Sequence, residues 1–396
     1  MKYFFILGNN PTLSLTEIAS VLNLKPNQVL FLSEDSLVVD VADSFDAEKL
    51  INKLGGTIKI ADCKSQIADL TAEKIIELFE LNNGHQKINF GFSYYGAGKF
   101  DEKSLAMELK RKLKEDGVNS RWVTSKEKQL SSVVVEQNKL TSDKGVEIII
   151  IKNRDNYYIG KTLVVQPFKE LSKRDYGRPS RDDYSGMLPP KLAKIMINLA
   201  SDNIKHKLLD PFCGSGTVLT ESLLMGYKNI TGADKSAKAV DDTKKNVSWL
   251  RENYQLPNAN VNIMQWDVRN LSQKIKQNSI DVIVAEAYLG PSRMKENEKE
   301  LRFVVRELES LYEQAFKQFA KILRTKGRVV IVLPVFKFSQ ATVFLSSKYI
   351  NDDFNIINPL KDFPKNSVFK LTNRSTIVYG RPSQKIWREI FILEKK

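Results

Sequence analysis

From residue 191 onward this 396-residue chain alternates short apolar runs with longer amphipathic ones, and few folds accept that pattern. Runs at 207–209, 229–233, 260–265, 280–285, 327–335 and 355–360 read as strands. Helical stretches lie between them, clearest at 191–200, 218–225, 238–251 and 301–323. Parallel neighbours need a crossover, and a helix is the usual one. The alternation therefore predicts an α/β class with a doubly wound parallel sheet. Two last runs, 375–379 and 387–394, are expected to add β structure at the sheet edge.

The first 190 residues read differently. Residues 1–65 predict a small α+β module: a strand at 1–7, a helix at 13–24 capped by Ser14 or Thr16, a hairpin at 28–32 and 36–41, a helix at 46–54 and a strand at 57–61. Residues 66–165 predict a second module, with helices at 71–81 and 102–116 and strands at 87–95, 132–137, 146–152 and 157–165. Residues 166–190 are rich in charges and turn formers and read as a linker. A catalytic domain is expected over 191–396.

Composition narrows the function. The chain is 42% hydrophobic, enough for a sizeable core, and carries a formal net charge of +14. That excess favours an anionic partner, of which nucleic acid is the commonest. The helix at 102–116 carries Lys110, Arg111, Lys112 and Lys114, with Arg121, Trp122, Lys126 and Lys128 beside it. These residues point to a basic N-terminal half as the nucleic-acid surface, although a charge run is usually a solvated face. The two cysteines, Cys63 and Cys213, form no CxxC pair, and the two histidines, His85 and His206, sit in no motif. No metal and no Ser-His-Asp triad are expected. The apolar run at the N-terminus breaks at Gly8, and no window reaches the length of a membrane span, so a soluble cytoplasmic protein is expected.

The stretch LLDPFCGSGTVLTE, residues 208–221, carries the chemistry. An apolar strand ends at Asp210, Gly214 and Gly216 follow, and a helix opens near Thr217. Ligands of open α/β sheets bind at such strand ends, where glycines let backbone N–H groups come close. A phosphate loop needs GxxxxGK[ST], and no lysine follows Gly216. A dinucleotide loop prefers GxGxxG, and Leu219 stands at its last position. Asp234 ends the next strand, where an acid suits two ribose hydroxyls. Asp267 ends the third, where an acid accepts from an adenine amine, with Trp266 or Val268 beside the ring. Either aspartate alone reads equally well as a helix cap. Three features at successive strand ends describe an adenosine cofactor without pyrophosphate, and S-adenosylmethionine fits that description.

The segment DPFCGSGTVLTE resembles motif I of class I methyltransferases that modify exocyclic amino groups of bases. The block SKRDYGRPSRDDYSGMLPPKLAKIMINLA and the closing YGRPSQKIWREIFILEK resemble the THUMP-domain tRNA guanine-N2-methyltransferase family. The resemblance implies a ferredoxin-like module, a THUMP module and a Rossmann-like methyltransferase domain, in that order. It implies that Asp210, Phe212, Gly214, Ser215, Gly216 and Thr217 border the methionine part of the cofactor. Asp234 and Lys235 would flank the ribose, and Asp267 and Val268 the adenine. Residues 185–189, with Met187 and Pro189, would lie over the methionine end.

The family's catalytic motif, [DNS]PP[YFW], ends the fourth strand. Its first side chain and a proline carbonyl accept the two amine hydrogens, and its aromatic ring stacks on the base. This chain reads EAYL there: Glu286, Ala287, Tyr288 and Leu289. Glu286 still accepts, the Ala287 carbonyl is the second acceptor, and Tyr288 is placed to stack from a shifted register. Three functions follow: methylation of an RNA amino group, guanine N2 in tRNA foremost; methylation of a DNA adenine or cytosine amine; or RNA binding with a weak or silent catalytic site.

Overall fold

A computed structural model describes residues 1–82, 87–181, 187–256, 258–291, 297–338, 341–350, 352–364 and 366–396. The chain divides into two compact units. One holds Met1–Leu15 and Leu24–Lys169; the other holds Thr16–Asn23 and Glu170–Lys396.

The elements of the first part are β1 (Lys2–Leu7), α1 (Pro11–Leu22), β2 (Val29–Leu32), β3 (Ser36–Asp40), α2 (Ala47–Lys53), β4 (Thr57–Ile67), α3 (Ala72–Phe79), β5 (Lys87–Tyr95), α4 (Glu102–Glu115), β6 (Asn119–Val123), α5 (Ser132–Gln137), β7 (Gly145–Asn153) and β8 (Asn156–Val165). All eight strands belong to one sheet, ordered β2-β3-β1-β4-β8-β7-β5-β6. The expected boundary at 65/66 falls inside β4, whose eleven residues pair with β1 at one end and β8 along most of their length.

Three local expectations are corrected. Residues 132–137 are a helix, not a strand: the β-branched run SVVVEQ is overridden by the Ser131 side chain, which caps the helix by accepting from the Val134 N–H. Neither Ser14 nor Thr16 caps α1; Asn10 does, accepting from the Leu13 N–H at 2.9 Å just ahead of Pro11. The residues beside α4, including Arg121 and Trp122, form β6, which pairs in parallel with β5.

The charge distribution overturns the expected basic N-terminal half. Acidic and basic side chains balance over residues 1–165, so the entire formal excess of +14 falls within residues 166–396. On α4 itself Arg111 pairs with Glu115 at 2.6 Å, and Lys112 pairs with Glu73. That helix is a solvated, partly neutralised face.

The remaining elements are α6 (Phe168–Tyr176), α7 (Pro190–Ala200), β9 (Lys207–Asp210), α8 (Thr217–Leu224), β10 (Asn229–Asp234), α9 (Ala237–Asn253), β11 (Asn260–Gln265), β12 (Ile280–Glu286), α10 (Glu298–Ile322), β13 (Leu323–Lys337), β14 (Thr342–Phe344), β15 (Phe354–Ile356), β16 (Ile377–Tyr379) and β17 (Ile386–Lys395). The expected linker contains α6. Its Leu171 is buried, and its Arg174 guanidinium forks onto the Glu221 carboxylate at 2.7 and 3.2 Å. A buried arginine needs such a partner, and the partner lies 47 residues away, out of reach of a local reading.

The second sheet runs β11-β10-β9-β12-β13-β17-β15, with β14 on β13 and β16 on β17. Strands β9 to β13 are parallel, as the alternation predicts. The last strand is not at the edge: β17 lies antiparallel between β13 and β15, and its buried IFIL run explains why. Helix α10 packs Leu308, Tyr312, Ala315, Phe316 and Phe319 into the core at helical spacing. The chain leaves β9 in one direction for β10 and β11 and returns on its other side as β12. The carboxyl ends of β9 and β12 therefore flank the switch point where such sheets bind ligands.

Candidate active site

A cavity of about 650 Å³ opens at that switch point, a size common for small-molecule sites. Its walls are built from strand ends. Asp210 closes β9, Asp234 closes β10, Asp267 follows β11 and Glu286 closes β12.

The glycine loop forms one wall. Gly214 and Gly216 hold φ of +51° and +86°, which glycine adopts without a steric cost. A Cβ on Gly216 would also sit 2.8 Å from the Thr243 methyl group, so α9 could not approach. Helix α9 braces the loop: Thr243 Oγ1 donates to the Gly214 carbonyl at 2.7 Å, and Asn246 Nδ2 donates to the Ser215 carbonyl at 2.8 Å. Asn246 also ties down residue 180, accepting from the Ser180 N–H and donating to its carbonyl. Buried Arg178 donates to Thr217 Oγ1 at 2.7 Å and contacts Met187 Sδ at 2.8 Å. Sequence reasoning missed Thr243, Asn246 and Arg178. Only the arginine gave a signal, standing in the GRPSRDD block.

The acids differ in state. Burial pushes the Asp210 carboxyl well above the usual range; the Phe212 N–H opposes this, while Asp234 and Glu286 add to it. Asp234 accepts from the Gly214 N–H at 3.1 Å and the Ser236 N–H at 2.9 Å, so it braces both the loop and the turn ahead of α9, which Ser236 caps. Asp267 is held below its ordinary value chiefly by Arg269, whose guanidinium reaches both of its oxygens.

The opposite wall is the EAYL segment. Glu286 is mostly buried and receives a hydrogen bond from Arg388 Nε at 2.5 Å. Arg388 lies on β17, 102 residues away. The Ala287 N–H continues the ladder onto the Val332 carbonyl. The next rung would bring the N–H of residue 334 to the Ala287 carbonyl, but residue 334 is proline and has none. Among the described residues no donor reaches that carbonyl. The Tyr288 carbonyl, in contrast, accepts from the buried Tyr312 hydroxyl at 2.5 Å; burial keeps that phenol protonated by raising it well above its usual value. The Tyr288 ring is 52% exposed, lines the cavity and stands 5.9 Å from Lys235 Nζ. Gly290, with φ +94°, turns the chain away against Val304 and Leu308.

Of the residues expected here, Met187, Asp210, Phe212, Gly214, Ser215, Thr217, Asp234, Lys235, Asp267, Val268, Glu286, Ala287, Tyr288 and Leu289 line the one cavity. Gly216 and Pro189 do not line it; each stands at a helix start behind the wall. Trp266 is turned away, its indole N–H donating to the Asn270 carbonyl. Ser185 and Gly186 lie outside the described residues. Among the described residues no cluster of ligating side chains could hold a metal.

Comparison with known proteins agrees with this geometry. Residues 178–343 match the family model for an RMKL-like methyltransferase domain, and residues 73–245 match one described as DNA methylase. The tRNA (guanine(10)-N2)-dimethyltransferase of Methanothermobacter thermautotrophicus is 28% identical over 240 residues, covering 60% of this chain and 64% of that protein. The enzyme of the same name from Methanocaldococcus jannaschii is 26% identical over 213 residues, covering 50% of this chain and 57% of its own. The chain thus spans about three fifths of the length of these relatives. The crystal structure of TrmN from Thermus thermophilus shares the fold, with TM-score 0.54 and 17% identity over the full length of both chains. Residues 178–343, which include the glycine loop and the EAYL segment, are thus similar to an RMKL-like methyltransferase domain.

Proposed function

We propose that this protein transfers a methyl group from S-adenosylmethionine to the exocyclic amine of a base in RNA, guanine N2 in tRNA foremost. One observation carries the reading. The glycine loop and two acceptor positions, on Glu286 and on the Ala287 carbonyl, belong to one cavity.

The loop wall suits the cofactor. A buried Asp210 with a raised carboxyl, close to Asp234 and Glu286, gains from a ligand that brings positive charge. Asp210 and the loop from Gly214 to Thr217 would border the methionine end, Asp234 the ribose, and Asp267 with Val268 the adenine. When bound, S-adenosylmethionine supplies an electrophilic methyl group.

The EAYL wall suits the amine. A base amine is a poor nucleophile because its lone pair is conjugated with the ring. Arg388 engages one Glu286 oxygen, which leaves the other to accept an amine hydrogen. Pro334 leaves the Ala287 carbonyl to accept the second. Two acceptors in place localise the nitrogen lone pair and orient it. The exposed Tyr288 ring offers a face for the base, which must leave its stack to enter.

The relatives' names favour tRNA guanine as substrate. The match to a DNA methylase model supports a second reading, amine methylation in DNA. The expected ferredoxin-like and THUMP-like modules would present the RNA in the first reading. No described helix is long and apolar enough to cross a membrane, consistent with an enzyme that meets tRNA in the cytoplasm. The test is a competition: labelled S-adenosylmethionine with bulk tRNA and duplex DNA together, followed by digestion to nucleosides. Label in N2-methylguanosine is the expected result. Label confined to DNA adenine or cytosine selects the second reading.

A further inference from the structure

Helix α10 has a second face besides the one it packs into the core. Next to the inward stripe of Leu308, Tyr312, Ala315, Phe316 and Phe319, a stripe of Glu307, Ser310, Leu311 and Gln314 lines the cavity. The spacing i, i+3, i+4 and i+7 puts those four on one side of a helix. The stripe ends where α10 meets the 3-10 turn Val268–Gln273. Gln318, one turn past Gln314, lies off the cavity and accepts from the Ser272 N–H at 3.0 Å. Gln314 therefore belongs to the end of the cavity walled by Asp267, Val268 and Arg269, the proposed adenine end.

Asp267 has little acceptor capacity left at that end. Its Oδ1 accepts from the Arg269 N–H and from Arg269 Nε, both at 2.9 Å, and its Oδ2 accepts from the same guanidinium at 2.6 Å. A carboxylate offers about four acceptor sites, so about one remains, whereas an adenine amine has two hydrogens to place. Gln314 holds a second acceptor. Its Nε2 donates to the Ser310 carbonyl at 3.1 Å and lies 3.3 Å from the Ser310 hydroxyl. A carbonyl only accepts, so the nitrogen must be the end of the amide turned to Ser310. The remaining atom, Oε1, has no hydrogen-bond partner among the described residues.

We propose that Gln314 is a specificity-determining residue for the cofactor: Asp267 accepts one hydrogen of the adenine amine, and Gln314 Oε1 accepts the other. The proposal rests on the reading that the cofactor is S-adenosylmethionine. It makes the site selective for adenine over a purine with a carbonyl in place of the amine. Such a purine would set its own acceptor against two others, with no hydrogen between them.

The test is titration calorimetry on the full chain with S-adenosylhomocysteine and S-inosylhomocysteine, which differ at the amine-bearing edge of the purine. The wild type should prefer the adenosyl compound by at least about tenfold. Gln314→Leu should weaken S-adenosylhomocysteine by about threefold to tenfold, the worth of one hydrogen bond. It should leave S-inosylhomocysteine binding unchanged or tighter, which also shows that the domain is folded. Gln314→Glu keeps an acceptor and should hold the preference close to that of the wild type. If Gln314→Leu weakens both compounds equally, or neither, the assignment is overturned and the cofactor reading stands. A preference lost in Gln314→Glu as fully as in Gln314→Leu also overturns it. If the wild type binds neither compound, both fall.

Discussion

The two walls of the cavity are built by different means. The glycine loop, from Asp210 to Thr217, carries a pattern of its own: two glycines hold positive φ, while Thr243, Asn246 and Arg178 from elsewhere in the chain brace it. The EAYL wall has no such pattern and is held entirely by side chains and register from elsewhere. Arg388 comes from β17, Tyr312 from α10 and Pro334 from β13. Its missing prolines are replaced by contacts, because Tyr312 fixes the segment and Pro334 frees its carbonyl. On the proposed reading, the cofactor wall keeps a recognisable motif, whereas the amine wall can be rewritten so long as its acceptors stay in place.

If the walls divide the labour in this way, their variants separate. Glu286→Ala should cut methyl transfer at least about a hundredfold while cofactor affinity stays within a few fold, since one amine acceptor is lost at the reacting centre. Asp234→Ala should do the reverse, weakening cofactor affinity about tenfold to a hundredfold through loss of one charged acceptor. Titration calorimetry beside single-turnover rates reads both. Arg388→Met should lower the transfer rate about tenfold with unchanged cofactor affinity, because Glu286 loses the group that aims it. Partial recovery in Arg388→Lys would mark positioning, not folding, as the cause. Pro334→Ala restores an N–H facing the Ala287 carbonyl. It should slow transfer about fivefold to tenfold, the worth of one hydrogen bond, and leave KM nearly unchanged.

The smallest effect concerns stability. Asp210 has a folded-state carboxyl pKa raised above its unfolded value, so its contribution is fully present at pH below the ordinary carboxylate range. It is lost as pH rises toward the folded value. Asp210→Asn should therefore raise Tm at pH 7–8 by about 2–4 °C per kcal/mol of ionisation cost removed. That gain should vanish near pH 4, and bound S-adenosylmethionine should stabilise the variant less than the wild type. A variant melting lower than the wild type at every pH would contradict it.

Much of this was readable in the sequence, and the failures have physical causes. The parallel sheet followed from alternation, and the loop from its glycines and from acids at successive strand ends. Helix α6 escaped because Arg174 is buried by a bond to Glu221, a contact with no local pattern. Residues 132–137 misled because a serine cap outweighed β-branched propensity. The basic N-terminal half was an error of locality: the α4 run is conspicuous, yet carboxylates elsewhere in residues 1–165 cancel it. Arg388, Tyr312 and Pro334 were invisible because each acts through strand register or helix packing.

The central claim, that the EAYL wall directs methyl transfer to a base amine, is met most directly by isotope transfer from labelled S-adenosylmethionine to bulk tRNA. Wild type and Glu286→Ala are run side by side at saturating cofactor and digested to nucleosides. Labelled N2-methylguanosine from the wild type and almost none from the variant is the expected result. Equal labelling by both proteins, or label on any atom other than an exocyclic nitrogen, would contradict it.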